Sequence, residues 1–164
     1  MPKAVIVDHA KCTGCRICEI VCSTKNEGTV SYERSRIRVY TVPPGLDIPI
    51  VCAQCQQAPC IKACPQRIIS RDSVSGAVII QEDACNGCGL CVEACPGGAI
   101  FMHPTRKVAI KCHLCNGDPD CVKFCPTEAI AYYSVPFDTR TFAKKADTIA
   151  EELRRHLLLP SQEG

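Results

Sequence analysis

The sequence has few bulky side chains with which to fill an interior. It contains no tryptophan, and aromatic residues make up only 5% of its 164 residues. Aromatic rings usually provide much of the buried area in a domain of this size. Their scarcity excludes a core built mainly from such rings, so another component must occupy the interior.

Signals for export and for membrane insertion are also missing. The first eight residues, MPKAVIVD, show no basic region followed by an apolar run of signal-peptide length and no twin arginine. Apolar runs such as residues 4–7 and 157–159 are far too short to span a bilayer. We therefore expect a cytoplasmic protein that does not insert into a membrane directly.

Motifs for nucleotide chemistry are absent as well. The sequence contains neither G-x-G-x-x-G, which binds dinucleotides, nor G-x-x-x-x-G-K-[ST], which binds nucleoside triphosphates. The four histidines are scattered. His113 lies between two cysteines and could tune a metal centre, although an exposed bystander is the simpler interpretation. No catalytic residue is predicted.

Cysteine, in contrast, is abundant. Sixteen cysteines occur in 164 residues, a density typical of disulfide scaffolds and metal proteins. Disulfides are rare in the cytoplasm, which favours metal. The cysteines form four motifs of four: Cys12, Cys15, Cys18 and Cys22 in motif 1; Cys52, Cys55, Cys60 and Cys64 in motif 2; Cys85, Cys88, Cys91 and Cys95 in motif 3; and Cys112, Cys115, Cys121 and Cys125 in motif 4.

The spacing of these motifs indicates iron–sulfur clusters. Motifs 1 and 3 read C-x2-C-x2-C-x3-C, and motif 3 ends in Pro96, as in bacterial ferredoxins. In that pattern three thiolates hold one 4Fe-4S cluster and the fourth holds a neighbouring cluster. Motifs 2 and 4 have enlarged loops, with four and five residues before the third cysteine. All sixteen ligands are present, so four complete clusters without a vacant site for substrate are expected.

Two other uses of the cysteines fit the spacing less well. Structural zinc would make the chain an interaction module, but zinc ligands usually come as two pairs separated by a longer stretch. Radical chemistry with S-adenosylmethionine would need C-x3-C-x2-C, which no triplet shows. Four clusters in a body roughly 40 Å across must be close neighbours, which predicts an electron relay that serves a catalytic cofactor in another subunit.

The formal net charge of +2 changes once clusters are counted. A 4Fe-4S core with four thiolates carries about −2 when oxidised, so four clusters bring the net charge to about −6. The 19 lysines and arginines are then partly counter-charge for the clusters, and a basic nucleic-acid surface is not expected.

A repeated unit surrounds the motifs. Short strands are predicted at residues 4–7, 36–42, 78–81 and 108–110. A helical turn at 16–23 and an exposed polar excursion at 23–35 should follow motif 1. Behind motifs 2, 3 and 4 a Cys-Pro step leads to an isoleucine that can pack over a cluster, whereas Cys22 is followed by Ser23. The three isoleucines are Ile69, Ile100 and Ile130.

The cysteine-free C-terminus predicts one amphipathic helix. It should begin after Asp138 or Thr139, run to about Leu159 and end at Pro160. Packing on its own domain and docking to a partner or a second copy of the chain are both open. Its apolar face would hold Phe142, Ala146, Ile149, Leu153 and Leu157.

The order of short and long motifs resembles the four-cluster electron-transfer subunits of molybdenum and tungsten oxidoreductases, hydrogenases and carbon monoxide dehydrogenases. The resemblance covers about residues 1–133 and implies an α+β fold of two fused bacterial-ferredoxin-like halves, motifs 1 and 4 in one and motifs 2 and 3 in the other. Residues 134–164 would be a C-terminal helical extension. The implied ligand sets are Cys12, Cys15, Cys18 and Cys125; Cys112, Cys115, Cys121 and Cys22; Cys52, Cys55, Cys60 and Cys95; and Cys85, Cys88, Cys91 and Cys64.

Within that family, the run from Lys111 to Pro126 is most similar to the small iron–sulfur subunit of tungsten aldehyde oxidoreductases. This similarity implies a tungsten or molybdenum pterin subunit that oxidises aldehydes, with a flavin or NAD subunit or a ferredoxin as the other redox partner. The alternative partners are a hydrogenase, a formate dehydrogenase or a carbon monoxide dehydrogenase.

Overall fold

The computed structural model describes residues 3–136 and 138–158. Short helices and two-stranded antiparallel sheets alternate along the chain, because each cysteine motif interrupts the regular structure. The strands are β1 (Lys3–Val7), β2 (Ile37–Val42), β3 (Leu46–Val51), β4 (Ile69–Arg71), β5 (Val78–Ile80), β6 (Ile100–Met102), β7 (Ala109–Lys111) and β8 (Ile130–Ser134). The helices are α1 (Ile17–Glu27), α2 (Pro59–Ala63), α3 (Leu90–Glu93), α4 (Asp120–Lys123) and α5 (Ala146–Leu158).

Three of the four sheets pair strands that are consecutive in the chain, and the fourth pairs the first strand with the last. Strands β2 and β3 pair with each other, as do β4 and β5, and β6 and β7. Strand β1, ahead of motif 1, pairs with β8, behind motif 4, and Val7 lies opposite Ile130. Helix α1 packs on α4, and α2 packs on α3. The mixture of helices and small antiparallel strand pairs agrees with the predicted α+β class.

The strands predicted ahead of the motifs are present, with ends that differ by about one residue. Strand β3 was not predicted, because Pro49 lies inside it and proline lacks the N–H that a central strand needs. Within the described residues β3 pairs only with β2, where Val39 lies opposite Pro49. A strand that pairs on one side only can accommodate proline, because the N–H that proline lacks is not needed on the unpaired side.

The predicted exposed excursion at residues 23–35 is only partly correct: Lys25, Val30 and Tyr32 are exposed, but both ends of the segment are buried. Helix α1 continues to Glu27 and ends at Gly28, which has a φ of +66°. Ser23 and Ser35 are completely buried. The Ser23 hydroxyl donates to the Ile20 carbonyl and accepts from the Ser31 N–H. The helix is longer than predicted because no proline follows Cys22.

The predicted single C-terminal helix is also wrong in its first part. Asp138 caps a short 3-10 turn at Thr139–Phe142, and α5 begins only at Ala146. The chain breaks at Ala143 (φ −81°, ψ 74°), whose backbone lies so close to Gly97 that an added Cβ there would come within 3.1 Å of it. Ala143 is held in a non-helical conformation at this close contact, so the helix is not continuous.

Helix α5 packs on its own domain. It lies against β2 and β3, and Ile149 and Ala150 are buried in the main core. The side chain of Leu157 and the predicted end at Leu159 and Pro160 lie outside the described residues. Docking of a partner to this helix stays a prediction.

None of the helices in residues 3–136 and 138–158 combines the length and the apolar character that crossing a membrane requires.

One backbone turn recurs in all four motifs. The residue before the second cysteine has a positive φ in each: Gly14 (+69°), Gln54 (+54°), Gly87 (+73°) and Leu114 (+63°). The left-handed backbone conformation is less stable by about 1–2 kcal/mol for a residue that has a side chain. Leu114 and Gln54 are almost fully buried, so packing and hydrogen bonds hold them in this conformation.

The turn at Gly87 provides a test of how closely the loops are packed. An added Cβ at Gly87 would lie 2.1 Å from the backbone oxygen of Lys107, whereas one at Gly76 (φ +71°) would meet nothing within 4 Å. Both Gly→Ala variants should lose about 1–2 kcal/mol to the positive φ. Gly87→Ala should lose a further 1–3 kcal/mol, roughly, to overpacking.

Thermal unfolding of the cluster-loaded protein, followed by its visible absorption, compares the two variants. The midpoint temperature should fall clearly further for Gly87→Ala than for Gly76→Ala. Equal decreases would show that the contact with Lys107 does not constrain the loop.

Candidate iron–sulfur centres

The structure gathers the cysteines into groups that combine different motifs. None of the sixteen forms a disulfide. In the described part of the chain, no three Cys, His, Asp or Glu side chains converge closely enough to hold a single metal ion. One cavity is lined by Cys12, Cys15, Cys18 and Cys125, and a second is lined by Cys64, Cys85, Cys88 and Cys91.

A third, larger cavity of about 320 Å³ contains the cysteines that bridge motifs 2 and 3. Part of its wall comes from β1, from Phe142 in the segment that leads into α5, and from Ile149 in α5 itself. The C-terminal segment therefore covers this group. Its cysteines are Cys52, Cys55, Cys60 and Cys95.

The remaining four cysteines include Cys22 on α1 and Cys121 on α4, two helices that pack on each other. Burial is the main influence on the Cys121 thiol and raises its pKa. Charges on Cys112, Cys22 and Cys115 act on it in the same direction, in that order. In each of the four groups, three cysteines come from one motif and the fourth comes from another motif.

The isoleucines behind the Cys-Pro steps line the same cavities. Ile130 lies in the cavity of Cys125, Ile69 in that of Cys64, and Ile100 in that of Cys95. All three side chains are buried. Each tail therefore adds an apolar wall to the cavity that its own cysteine enters.

Backbone N–H groups point at several of the sulfurs. The donor nitrogens lie 3.3 Å from Cys22 Sγ (Arg36), 3.4 Å from Cys52 Sγ (Gln54), 3.3 Å from Cys95 Sγ (Ala99) and 3.4 Å from Cys85 Sγ (Ala109). Such donors stabilise negative charge on a sulfur, as the thiolate ligands of iron–sulfur clusters require. The sulfurs and their surroundings fit this cofactor.

Burial opposes ionisation of these thiols while no metal is bound. It raises the pKa of Cys18 and of Cys112 to about 12, and that of Cys55 and of Cys91 to about 11. Thiols in such surroundings keep their protons at neutral pH unless a metal displaces them. The cavities therefore suit metal ligation better than free thiolate chemistry.

A buried cation lies between two of the groups. Lys111 is only 3% exposed, and its ammonium group donates to the carbonyl oxygens of Cys112 and Val78. Gln54 bridges the same two residues, because its Nε2 donates to Cys112 O and its Oε1 accepts from Val78 N, both at 2.9 Å. Burial dominates the pKa of Cys60 and of Cys112, and Lys111 opposes its effect on both.

Sequence reasoning missed the roles of Lys111 and Gln54. A buried ammonium costs several kcal/mol unless negative charge lies near it, and anionic clusters on both sides would supply that charge. The available signal in the sequence was the position of Lys111, at the end of a short apolar strand and directly before a cysteine. The expectation that His113 is an exposed bystander is wrong, since it is half-buried.

Two cysteines remain open to solvent. Cys15 and Cys88 are exposed, whereas the others are half-buried or buried. They belong to two different cavities, one at motif 1 and one at motif 3. These two groups are therefore the ones that lie nearest to the surface.

Comparison with known families agrees with this geometry. The family described as "4Fe-4S dicluster domain" matches residues 46–135, more than half of the chain. A second family, "4Fe-4S binding domain", matches residues 9–25 around motif 1. Together the two matches include every motif.

Three curated relatives are similar to part of the chain. The chain is 46% identical over 93 residues (57% of this chain, 54% of the relative) to the "Aliphatic sulfonate oxidoreductase, polyferredoxin-like subunit" of Pyrococcus furiosus. It is 37% identical over 110 residues (66% and 53%) to a subunit of the tetrathionate reductase of Archaeoglobus fulgidus. It is also 37% identical over 107 residues (61% and 59%) to "Electron transport protein HydN" of Escherichia coli.

The chain spans between 53% and 59% of the length of these relatives. Over the matched part, the prediction of an iron–sulfur subunit agrees with the family matches and with the names of these relatives. Their names do not confirm a tungsten aldehyde oxidoreductase.

A solved structure resembles the fold over almost the whole chain. It is the "Active site complex BamBC of Benzoyl Coenzyme A reductase in complex with Benzoyl-CoA", of which one chain aligns with a TM-score of 0.50. The alignment covers 93% of this chain and 96% of that chain, at 24% identity. At this identity the likeness concerns the fold alone. Cavity geometry and family matches together show that the chain carries 4Fe-4S clusters and belongs to the 4Fe-4S dicluster domain family.

Proposed function

We propose that this chain binds four 4Fe-4S clusters and conducts single electrons between a catalytic subunit and a second redox partner. The observation that carries the proposal is the grouping of the cysteines, three from one motif and one from another in every group. The ligand sets are Cys12, Cys15, Cys18 and Cys125; Cys22, Cys112, Cys115 and Cys121; Cys52, Cys55, Cys60 and Cys95; and Cys64, Cys85, Cys88 and Cys91.

The same grouping favours two fused ferredoxin-like halves. Motifs 1 and 4 belong to one half, which the β1–β8 pairing and the contact of α1 with α4 support. Motifs 2 and 3 belong to the other, which the β4–β5 pairing and the contact of α2 with α3 support. Residues 1–133 would form this double domain, and residues 134–164 the C-terminal extension.

The proposal of a relay is supported by electrostatic influence between cysteines of different groups. Cys18 is among the charges that act on Cys121, and Cys52 is among those that act on Cys112. In the proposed relay, the group of Cys22 would stand between the group of Cys15 and that of Cys52. Exposed Cys15 and Cys88 would mark the entry and exit points for electrons.

The proposed catalytic partner is a tungsten or molybdenum pterin subunit that oxidises aldehydes. This finer assignment is supported by the run from Lys111 to Pro126, and the other terminus would be a flavin or NAD subunit or a ferredoxin. A sulfonate oxidoreductase and a tetrathionate reductase stand among the relatives' names, in line with an accessory role to a separate catalytic subunit. We place the complex in the cytoplasm, where thiols stay reduced for cluster binding.

Purification of the tagged chain from its native host tests the partner. We expect stoichiometric tungsten and pterin, and aldehyde oxidation by the complex but not by the chain alone. Copurification of a hydrogenase, a formate dehydrogenase or a carbon monoxide dehydrogenase would contradict the aldehyde assignment and leave the electron relay intact.

Metal analysis of the anaerobically purified chain tests the clusters. About sixteen irons and an equal amount of acid-labile sulfide per chain are expected from four 4Fe-4S clusters. About four zinc ions without sulfide would reject the proposal.

Single and double Cys→Ala variants test the ligand sets. Iron loss is compared between them, so no spectrum has to be assigned to a particular cluster. Cys95→Ala and Cys60→Ala should each disable the same cluster, so at most about four irons are lost in either variant and in their combination. Cys91→Ala should disable a different cluster.

Iron and sulfide content of the single and double variants provides the measurement. The loss in Cys95→Ala with Cys91→Ala should equal the sum of the two single losses, about eight irons when both clusters are lost completely. If Cys95→Ala were instead additive with Cys60→Ala and not with Cys91→Ala, Cys95 would belong to the cluster of its own motif.

A further inference from the structure

We propose that Asn26, oriented by His113, raises the reduction potential of the cluster that Cys22 helps to hold. This inference rests on the ligand set proposed above for Cys22, Cys112, Cys115 and Cys121.

The chain after Cys22 differs from the chain after the other fourth cysteines. Helices α2, α3 and α4 end at Ala63, Glu93 and Lys123, before a Cys-Pro step that stops them. Ser23 follows Cys22, and α1 continues to Glu27. Asn26 therefore lies one helical turn beyond Cys22, on the same face of α1.

This position lets the Asn26 amide reach the sulfur. Its Nδ2 lies 2.7 Å from the Cys22 carbonyl oxygen and 3.6 Å from Cys22 Sγ. Cys22 Sγ also accepts from the backbone N–H of Arg36 at 3.3 Å. In residues 3–136 and 138–158, no hydrogen bond joins a side-chain amide to any other cysteine sulfur; the other side-chain partner is the hydroxyl of Thr127, 3.7 Å from Cys125 Sγ.

His113 determines which end of the amide faces the sulfur. Its Nδ1 accepts from the N–H of Cys115 at 3.2 Å, so the ring proton resides on Nε2. Nε2 lies 2.7 Å from Asn26 Oδ1 and donates to it. With Oδ1 engaged by a donor, the amide nitrogen must point to Cys22.

The electrostatic effect has a definite sign. A hydrogen bond donated to a ligating sulfur stabilises negative charge, and the reduced cluster carries one more negative charge than the oxidised one. The bond therefore favours reduction and raises the potential. His113 touches no sulfur in this network, so it acts as a positioning residue through Asn26.

A redox titration of the full-length holoprotein, monitored by electron paramagnetic resonance, tests the proposal. Asn26→Leu removes the donor, and we expect one cluster to shift to lower potential while the other three keep theirs. Thr24→Leu is the matched control, because Thr24 is exposed on the same helix, and it should shift none.

The positioning role of His113 is tested in the same titration. His113→Leu should shift the same cluster in the same direction, and the double variant with Asn26→Leu should match Asn26→Leu alone. If the effect of His113→Leu persisted in full without Asn26, the histidine would act on the cluster by itself and the coupling would be refuted.

Iron and sulfide content separate this inference from the proposed function. Full content with four unchanged potentials in Asn26→Leu overturns the role of Asn26 alone, whereas too little iron in the unmodified chain overturns the proposed function. Should Asn26→Leu lose a cluster, Asn26→Asp keeps the shape of the side chain and lacks the N–H donor. An unchanged potential in that variant would equally overturn the proposal.

Discussion

Ligation of rigid iron–sulfur clusters by sulfurs at fixed positions is the constraint on which the rest of this structure depends. On the proposed ligand sets, a loop of 11 to 14 residues aims three sulfurs at one cluster and one at another. The backbone adopts the same left-handed turn in each motif. Glycine meets this demand at Gly14 and Gly87, whereas Leu114 and Gln54 meet it through burial. Because the clusters supply much of the interior, four-residue helices and three-residue strands suffice around them.

The largely apolar interior also contains charged side chains. Arg36 is buried between the carboxylates of Glu27 and Glu82, at 3.1 and 2.8 Å, and Arg106 contacts the same two carboxylates from the surface. Burial would raise the pKa of Glu82, but the two arginines outweigh it and lower that pKa. Glu27 ends the helix of motif 1, and Glu82 precedes motif 3, so this network ties the two proposed halves together alongside the anionic cofactors.

Much of this organisation could be predicted from the sequence, because the spacing of the cysteines is characteristic of the cluster that they bind. The spacing indicated 4Fe-4S clusters, and the strand ahead of motif 3 could be located from its apolar residues. Strand β3 was not predicted because Pro49 lies inside it. The contacts that Lys111 and Gln54 make with Val78 could not be predicted because they join residues far apart in the chain. The polar composition of residues 23–35 predicted exposure, yet Ser23 and Ser35 are buried, since their hydroxyls satisfy backbone groups. The break at Ala143 depends on a contact with Gly97 that no local pattern contains.

The pairing of β1 with β8 has a consequence for how the protein is made. Cys12, Cys15 and Cys18 leave the ribosome early, but the cysteine that shares their cavity, Cys125, is synthesised only near the end of the cysteine-bearing region. The cysteines of motifs 2 and 3 come from one continuous stretch and meet sooner. On the proposed ligand sets, the clusters are completed from the middle of the chain outwards. The first cysteine loop is therefore the part of the nascent chain that waits longest with incomplete ligation, and it is the part most in need of protection from oxygen during biosynthesis.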